Sequence, residues 1–208
     1  MIALIDYGMG NLGSVAKALE TVGAEVRLAT GPDMAAECSG VLLPGVGNFG
    51  DGMKQLTARG WVDFLRRWAA ADRPFLGICL GMQMLLESSE EAPGVPGLGI
   101  IPGRVRKFPP SVGKIPHMGW NSVKIVRPAP AGLAPVAEQE EYFYFVHSFY
   151  VEPADPSWRG GVTDYNGVSF VSAVGRGRLT ATQFHPEKSQ NAGLAILRRF
   201  AEMSDEAR

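Results

Sequence analysis

Phe75-Leu76-Gly77-Ile78-Cys79-Leu80-Gly81-Met82-Gln83 is the stretch that decides the fold. An apolar run of strand character meets Gly-x-Cys-x-Gly and continues into an apolar pattern of helical type. This is the sequence of a nucleophile elbow, a tight strand-to-helix bend that holds its central residue above the sheet edge, here with sulfur as the nucleophile. The flanking glycines let neighbouring backbone approach where a Cβ would clash. A helix is predicted over 80–88, so its unpaired N–H groups and positive dipole end should lie beside the sulfur. There they would favour thiolate over thiol and could stabilise an oxyanion. An isolated free cysteine is more often a small buried core residue. The strand before, the helix after and the glycines on both sides favour the nucleophile at Cys79.

Outward from the elbow, the first half of the chain alternates strand and helix signals. Residues 2–6 read as a buried strand, and 12–22 as a helix with Val15, Ala18, Leu19 and Val22 on its apolar face, closed by Gly23. Strands are predicted over 25–29 and 40–44. Trp61, Phe64, Leu65 and Trp68 share one helical face, opposite Arg66 and Arg67, which reads as core packing rather than a cofactor site. This order implies right-handed crossovers and a parallel sheet covered on both faces. After Pro93 the texture changes. Short β-branched and aromatic runs at 100–108, 119–126, 142–151, 160–165, 168–174 and 179–184 read as strands, with Asn166-Gly167 as a hairpin turn. A final helix is predicted over 192–203, with Leu194, Leu197, Phe200 and Ala201 inward. The expected fold is one α/β domain over 1–208: a mostly parallel central sheet with helices on both faces and an antiparallel extension.

Bulk properties narrow the function. With 208 residues, 46% of them hydrophobic, the chain can bury one substantial core. A formal net charge of −1 and the lack of any Lys/Arg block argue against nucleic acid. No apolar stretch approaches the ~20 residues of a membrane span, which predicts a soluble protein. The two cysteines, Cys38 and Cys79, and a start directly on an apolar strand without a signal peptide fit a reducing cytoplasm.

A cysteine nucleophile needs a base, and the chain holds three histidines, His117, His147 and His185. His185 is the best placed, since it follows the last strand and is separated from Glu187 by Pro186, which ends the ladder for want of an N–H. Residues two apart on extended chain point the same way. Glu187 can therefore accept from one imidazole nitrogen and leave the other facing the thiol. Cys79 and His185 both fall at strand ends, where open α/β sheets bind ligands. A second glycine loop, Pro44-Gly45-Val46-Gly47, could offer the N–H of Val46 or Gly47 as an oxyanion donor opposite Leu80; losing one such donor typically costs about 3 kcal/mol. Its two glycines also tolerate the change of φ that turning the loop would need.

Gly8-Met9-Gly10-Asn11-Leu12-Gly13 matches the dinucleotide pattern Gly-x-Gly-x-x-Gly. Asp6 would set a negative charge beside a pyrophosphate, and the second strand ends without an acid to hold a ribose, so an oxidoreductase is the minor reading. His147, in the aromatic run 142–150, reads as a buried, satisfied histidine. His117 sits in Pro116-His117-Met118-Gly119-Trp120-Asn121, whose Trp and Met suit a contact surface.

Gly77-Ile78-Cys79-Leu80-Gly81 with His185-Pro186-Glu187 resembles the triad, or class I, glutamine amidotransferases. Asp6-Tyr7-Gly8-Met9-Gly10-Asn11, Pro44-Gly45-Val46-Gly47, Pro116-His117-Met118-Gly119-Trp120-Asn121 and Gln183-Phe184-His185-Pro186-Glu187-Lys188-Ser189 narrow the resemblance to the glutaminase subunits of imidazole glycerol phosphate synthases. The resemblance covers essentially the whole chain. It implies a three-layer amidotransferase fold and hydrolysis of glutamine to glutamate and ammonia through a thioester on Cys79, with His185 and Glu187 completing the triad. The backbone of Val46, Gly47 and Leu80 would form the oxyanion hole, with substrate contacts at Gly47, Gln83, Glu91, Ser148 and Phe149. Glu91 suits the substrate ammonium, because a cation in a partly closed pocket needs a carboxylate. No metal or organic cofactor is implied.

The resemblance also implies a partner, a separate (β/α)₈-barrel cyclase subunit that receives the ammonia and makes imidazole glycerol phosphate and AICAR in histidine biosynthesis. Asn11, His117, Trp120, Asn121, Tyr144 and Lys188 are the expected contact residues, and the subunit alone should be nearly idle. A glutaminase for another pathway would share the triad but lack the Pro-His-Met-Gly-Trp-Asn string. A stand-alone cysteine hydrolase would work without a partner, and a noncatalytic binding module would be indifferent to Cys79→Ala.

Overall fold

The computed structural model describes residues 1–138 and 140–207. Its first half runs β1 (Ile2–Ile5), α1 (Leu12–Thr21), β2 (Val26–Ala29), α2 (Pro32–Ala36), β3 (Gly40–Leu43), α3 (Phe49–Ala58), α4 (Trp61–Ala70), β4 (Phe75–Ile78) and α5 (Leu80–Gln83). The second half runs β5 (Ser88–Ser89), β6 (Gly103–Lys107), β7 (His117–Ile125), β8 (Glu141–His147), β9 (Phe149–Pro153), β10 (Arg159–Tyr165), β11 (Val168–Arg176), β12 (Leu179–Thr182) and α6 (Gln190–Asp205). These strands form one sheet in the order β2-β1-β3-β4-β12-β11-β10-β7-β8, with β9, β6 and β5 branching off β11. The run from β2 to β12 is parallel throughout, and from β12 onward neighbours are antiparallel.

The three layers follow from the period of two along each parallel strand. Ala3, Ile5, Val41, Leu43 and Phe75 point to one core, where α3 and α4 supply Phe49, Met53, Leu56, Trp61, Leu65 and Trp68. Ile2, Leu4, Leu42, Leu76 and Ile78 point to the other, against Val15 and Leu19 of α1 and Leu197 and Phe200 of α6. Strands buried on both faces read as continuous apolar runs, as these do. Each such large side chain taken out of water contributes about 1.5–3 kcal/mol. A third core, rich in Phe108, Phe143, Phe145, Phe170 and Phe184, lies under the antiparallel extension.

Several elements depart from the sequence reading. The helix predicted over 80–88 stops at Gln83. The segment after it folds back, so that the N–H groups of Leu98, Gly99 and Ile100 donate to the carbonyls of Met84, Leu86 and Leu85 at 2.8, 3.1 and 2.9 Å. A helix continued to residue 88 would need the Met84 carbonyl for itself. The single strand over 142–151 is two strands parted at Ser148, because β8 pairs with β7 while β9 pairs with β6 and β11. The helix α3 is an addition to the sequence reading, although Asn48 caps it by accepting from the N–H groups of Gly50 and Asp51.

Parallel β1, β3, β4 and β12 all end at one sheet edge, Leu43 pairing with Gly77 and Ile78 with Thr182. The loops that leave this edge carry Tyr7, Gly45, Cys79 and Gln183, so topology alone collects them.

Candidate active site

Cys79 is the joint between β4 and α5, with φ 54° and ψ −109°. A non-glycine residue in that region of backbone space stores on the order of 1–3 kcal/mol of strain, which the surroundings must hold. They do so from both sides. The Cys79 N–H donates to the Thr182 carbonyl at 2.7 Å, and the Cys79 carbonyl accepts from Met82 and Gln83 at 3.0 and 3.2 Å. Gly81 is required by close approach, since a Cβ there would overlap the Leu43 carbonyl oxygen of the neighbouring strand. Because α5 has one turn, the dipole behind the sulfur is that of a few peptides rather than a long helix.

His185 arrives from the end of β12, where its N–H donates to the Tyr144 carbonyl at 2.9 Å. Its Nδ1 lies 2.8 Å from Glu187 Oε1, and the two side chains are only 3% and 1% exposed. The other ring nitrogen, Nε2, is buried and has no hydrogen-bond partner among the described residues. Burial alone would lower the imidazolium pKa. Interaction with Cys79 and Glu187 outweighs it and raises the value to about 9. The arrangement is that of a base with one nitrogen fixed by a carboxylate and the other free.

Cys79 and His185 share a pocket of about 400 Å³ with Gly47, Gln83, Glu91, Ser148 and Phe149, so the structure brings all five expected substrate contacts to the same cavity. Glu91 also braces the pocket wall, because its Oε2 accepts the Phe49 N–H at 2.7 Å and so fixes the first turn of α3.

At the expected oxyanion hole, the Leu80 N–H is directed at the Gly45 carbonyl, 3.4 Å away. Val46 and Gly47 lie at the pocket rim, Gly47 at a φ of +107°. The Tyr7 hydroxyl, fully buried, donates to the Pro44 carbonyl at 2.9 Å and so pins the start of this loop. Burial and the nearby Cys79 charge push the Tyr7 phenol well above its ordinary value, which keeps it a neutral donor. The glycine loop 8–13 is closed by Asp6, whose Oδ1 accepts the Gly8 N–H at 3.0 Å, and Asn11 caps α1. An amide that a pyrophosphate would need is thus already used.

The six expected contact residues divide. Trp120 and Tyr144 are paired across β7 and β8 with ring centroids 6.3 Å apart, and Lys188 Nζ lies 5.8 Å from the Tyr144 ring, forming one surface patch. Asn11, in the glycine loop, is exposed. Asn121 turns inward to the Asp164 carbonyl and to His117. The expectation for His117 is corrected: it is 3% exposed and stacked between Phe145 and Tyr165, because β7 alternates and places His117 on the core side. His147 is also buried. Two residues beside the sulfur escape the sequence reading. Tyr7 stands out there only as part of a motif, and Gln183, whose Nε2 lies 3.7 Å from Cys79 Sγ, only as part of a strand and of the string that runs on to His185.

No helix of the described residues is long and apolar enough to cross a membrane, and among them no three His, Cys, Asp or Glu side chains converge as a metal site.

Comparison with known proteins gives a consistent result. Residues 3–203 match the family model described as glutamine amidotransferase class-I. The chain is 51% identical over 211 residues to imidazole glycerol phosphate synthase subunit HisH of Syntrophotalea carbinolica, covering 98% of this chain and 100% of that one. It is 48% identical over 203 residues to the HisH subunit of Methanothermobacter thermautotrophicus, covering 98% of each. Among solved structures, a crystal structure of a glutamine amidotransferase superposes with a TM-score of 0.76 at 16% identity, over 99% of this chain and 100% of that one. The glutaminase domain of Trypanosoma brucei CTPS, solved with bound acivicin, gives 0.71 at 19% identity, over 100% and 94%. At those identities the structural likeness speaks for the fold.

Proposed function

Since this chain belongs to the class I glutamine amidotransferases, and within them to the HisH subunits of imidazole glycerol phosphate synthase, we propose that it hydrolyses glutamine with Cys79, His185 and Glu187 for a heteromeric synthase in histidine biosynthesis. The observation that carries the residue assignment is His185 itself. One ring nitrogen is held at 2.8 Å by a buried carboxylate, and the other is buried, unpartnered among the described residues and in the same pocket as the thiol.

The chemistry runs as acyl transfer. His185 Nε2 holds the proton that Cys79 gives up, as its raised pKa favours, and the sulfur adds to the side-chain amide carbon of glutamine. The negative oxygen of the tetrahedral intermediate needs donors, for which Leu80 N–H and the N–H of Val46 or Gly47 are the candidates. Gly45 O must then release the Leu80 N–H, and the left-handed φ at Gly47 makes the loop able to turn. The protonated His185 delivers its proton to the departing nitrogen as the C–N bond breaks, giving ammonia and a γ-glutamyl thioester. Water then adds to the thioester with His185 as base, the C–S bond breaks, and glutamate leaves. Glu91 receives the α-ammonium, while Gly47, Gln83, Ser148 and Phe149 hold the rest of the substrate.

The relatives are named as subunits, which implies a second subunit for this chain. We assign that partner as the (β/α)₈-barrel cyclase, seated on the patch of Trp120, Tyr144 and Lys188 with Asn11 and Asn121 at its margin. Glutamate release from glutamine is the test, measured for the chain alone, with the cyclase subunit and its nucleotide ligand, and with Cys79→Ala. Strong activity only in the full mixture and none in the variant supports both assignments. Equal activity with and without the partner removes the coupling, and silence in every mixture removes the triad.

A further inference from the structure

We propose that Gln183 is a further catalytic residue of this site: its side-chain amide donates to Cys79 Sγ, favouring the charged sulfur, and a buried hydrogen-bonded chain fixes the direction of that donation. Gln183 is fully buried, one residue past β12, and its Nε2 stands 3.7 Å from the sulfur. An amide in a dry site is costly unless its atoms are bonded, so the placement of an amide here calls for a role.

Its polarity is determined by what lies behind it. Gln183 Oε1 accepts from Gln83 Nε2 at 3.1 Å, and the same Gln83 nitrogen donates to the Phe149 carbonyl at 3.1 Å. That carbonyl can only accept, and it also takes His147 Nδ1 at 2.7 Å, which makes His147 Nε2 an acceptor. His147 Nε2 therefore receives from His117 Nδ1 at 3.0 Å. His117 Nε2 in turn receives from Asn121 Nδ2 at 3.2 Å, and Asn121 Nδ2 also donates to the Asp164 carbonyl at 2.8 Å. Turning the Gln183 amide over would face its NH₂ against the NH₂ of Gln83 and its oxygen against the sulfur. The chain forbids this, so an N–H stays aimed at Cys79.

A hydrogen bond to sulfur is weak while the sulfur is neutral and strengthens when it is charged. Gln183 therefore stabilises the thiolate more than the thiol, which is differential stabilisation of the reactive form. The ionisable groups around the sulfur are His185 with Glu187 behind it at the end of β12, Tyr7 after β1, His147 from β8 and Glu91 across the pocket. None of them is altered by substitution at Gln183.

The importance of the donation for turnover rests on the glutaminase reading, whereas the donation itself can be read without substrate. The experiment is iodoacetamide alkylation of the full chain as a function of pH, with Cys79 and Cys38 followed separately by peptide mass, for wild type, Gln183→Leu and Gln183→Met. Gln183→Leu keeps the volume and removes the donor. Gln183→Met is a second uncharged side chain of similar length without an N–H, so it decides the matter if the Leu variant does not fold. The expected result is a Cys79 profile displaced to higher pH in each folded variant, with the rate at neutral pH down about tenfold or more, as for loss of one hydrogen bond to a charged group, and Cys38 unchanged. Superimposable Cys79 profiles overturn the proposal while leaving the glutaminase reading intact. Wild-type Cys79 reacting no faster than Cys38 overturns the activated nucleophile and this proposal with it.

Discussion

His117 Nδ1 and His147 Nε2 lie 3.0 Å apart, with both rings closed off from solvent. One nitrogen of such a pair must accept, so the bond exists only while His147 is neutral. Burial holds both there, lowering His117 to about 4 and His147 to about 3.

Stability should therefore fall with acid in a defined window. The unfolded histidines bind protons near pH 6.5, and the folded ones only near 4 and 3, so between those values the unfolded state carries more protons and is favoured as pH drops. The stabilising effect is complete above pH 6.5 and is lost on the way to pH 3. Thermal melts from pH 7 to pH 4 should show a declining Tm, and His117→Gln should flatten the decline while lowering Tm at neutral pH. A wild-type Tm independent of pH over this range would show that the pair charges freely.

Tyr7→Phe tests the anchor of the 44–47 loop. Removing the hydroxyl leaves the buried Pro44 carbonyl without its 2.9 Å donor, a loss of about 1–3 kcal/mol. For a domain of this size each kcal/mol is about 2–4 °C in Tm. Because the loop carries the proposed oxyanion donors, kcat for glutamine hydrolysis in the assembled enzyme should fall about tenfold with KM little changed. A variant with wild-type kcat would mean that the loop holds its place without Tyr7.

The bend at Cys79 and the pairing of His185 with Glu187 are legible in the sequence because their signals are local: glycines around a bend, and two residues on one side of an extended segment. The parallel strands are legible as apolar runs. The length of α5 is not, because it is set by residues 98–100 bonding back to Met84, Leu85 and Leu86, a contact between segments. The composition of its string points His117 to the surface, whereas strand alternation in β7 decides its side. Gln183 and Tyr7 are polar side chains that serve partners 104 and 37 residues away, which no local pattern encodes.

Gly81→Ala probes the elbow from beneath. The new methyl would meet the Leu43 carbonyl, which is backbone of β3 and cannot rotate aside. The helix must lift, moving the Leu80 N–H with it. Overpacking of this kind costs about 1–3 kcal/mol, more when backbone must move. Urea denaturation should show a lower midpoint, and glutaminase activity should fall beyond what the folded fraction explains. Gly31, which is extended and around which a Cβ would meet nothing, serves as the control site for an Ala substitution.

Glu187→Gln separates orientation from charge in the His185 pair. The amide can still contact Nδ1 from 2.8 Å, but it no longer favours the imidazolium. In the wild type, His185 keeps its proton to about pH 9 in the folded state and to about 6.5 when unfolded, so between these values the folded state binds more protons. That contribution is complete below pH 6.5 and is lost as pH rises through about 9. Wild-type Tm should consequently drop between pH 7 and pH 10 by more than that of Glu187→Gln. Turnover should fall as well, by about 10²-fold or more, since the protonated imidazole that delivers its proton to ammonia has lost its counter-charge. If the variant retains both the wild-type pH slope and wild-type turnover, Glu187 only fills space behind His185. A retained slope with lost turnover would assign the high proton affinity to Cys79 and leave Glu187 the orienting part alone.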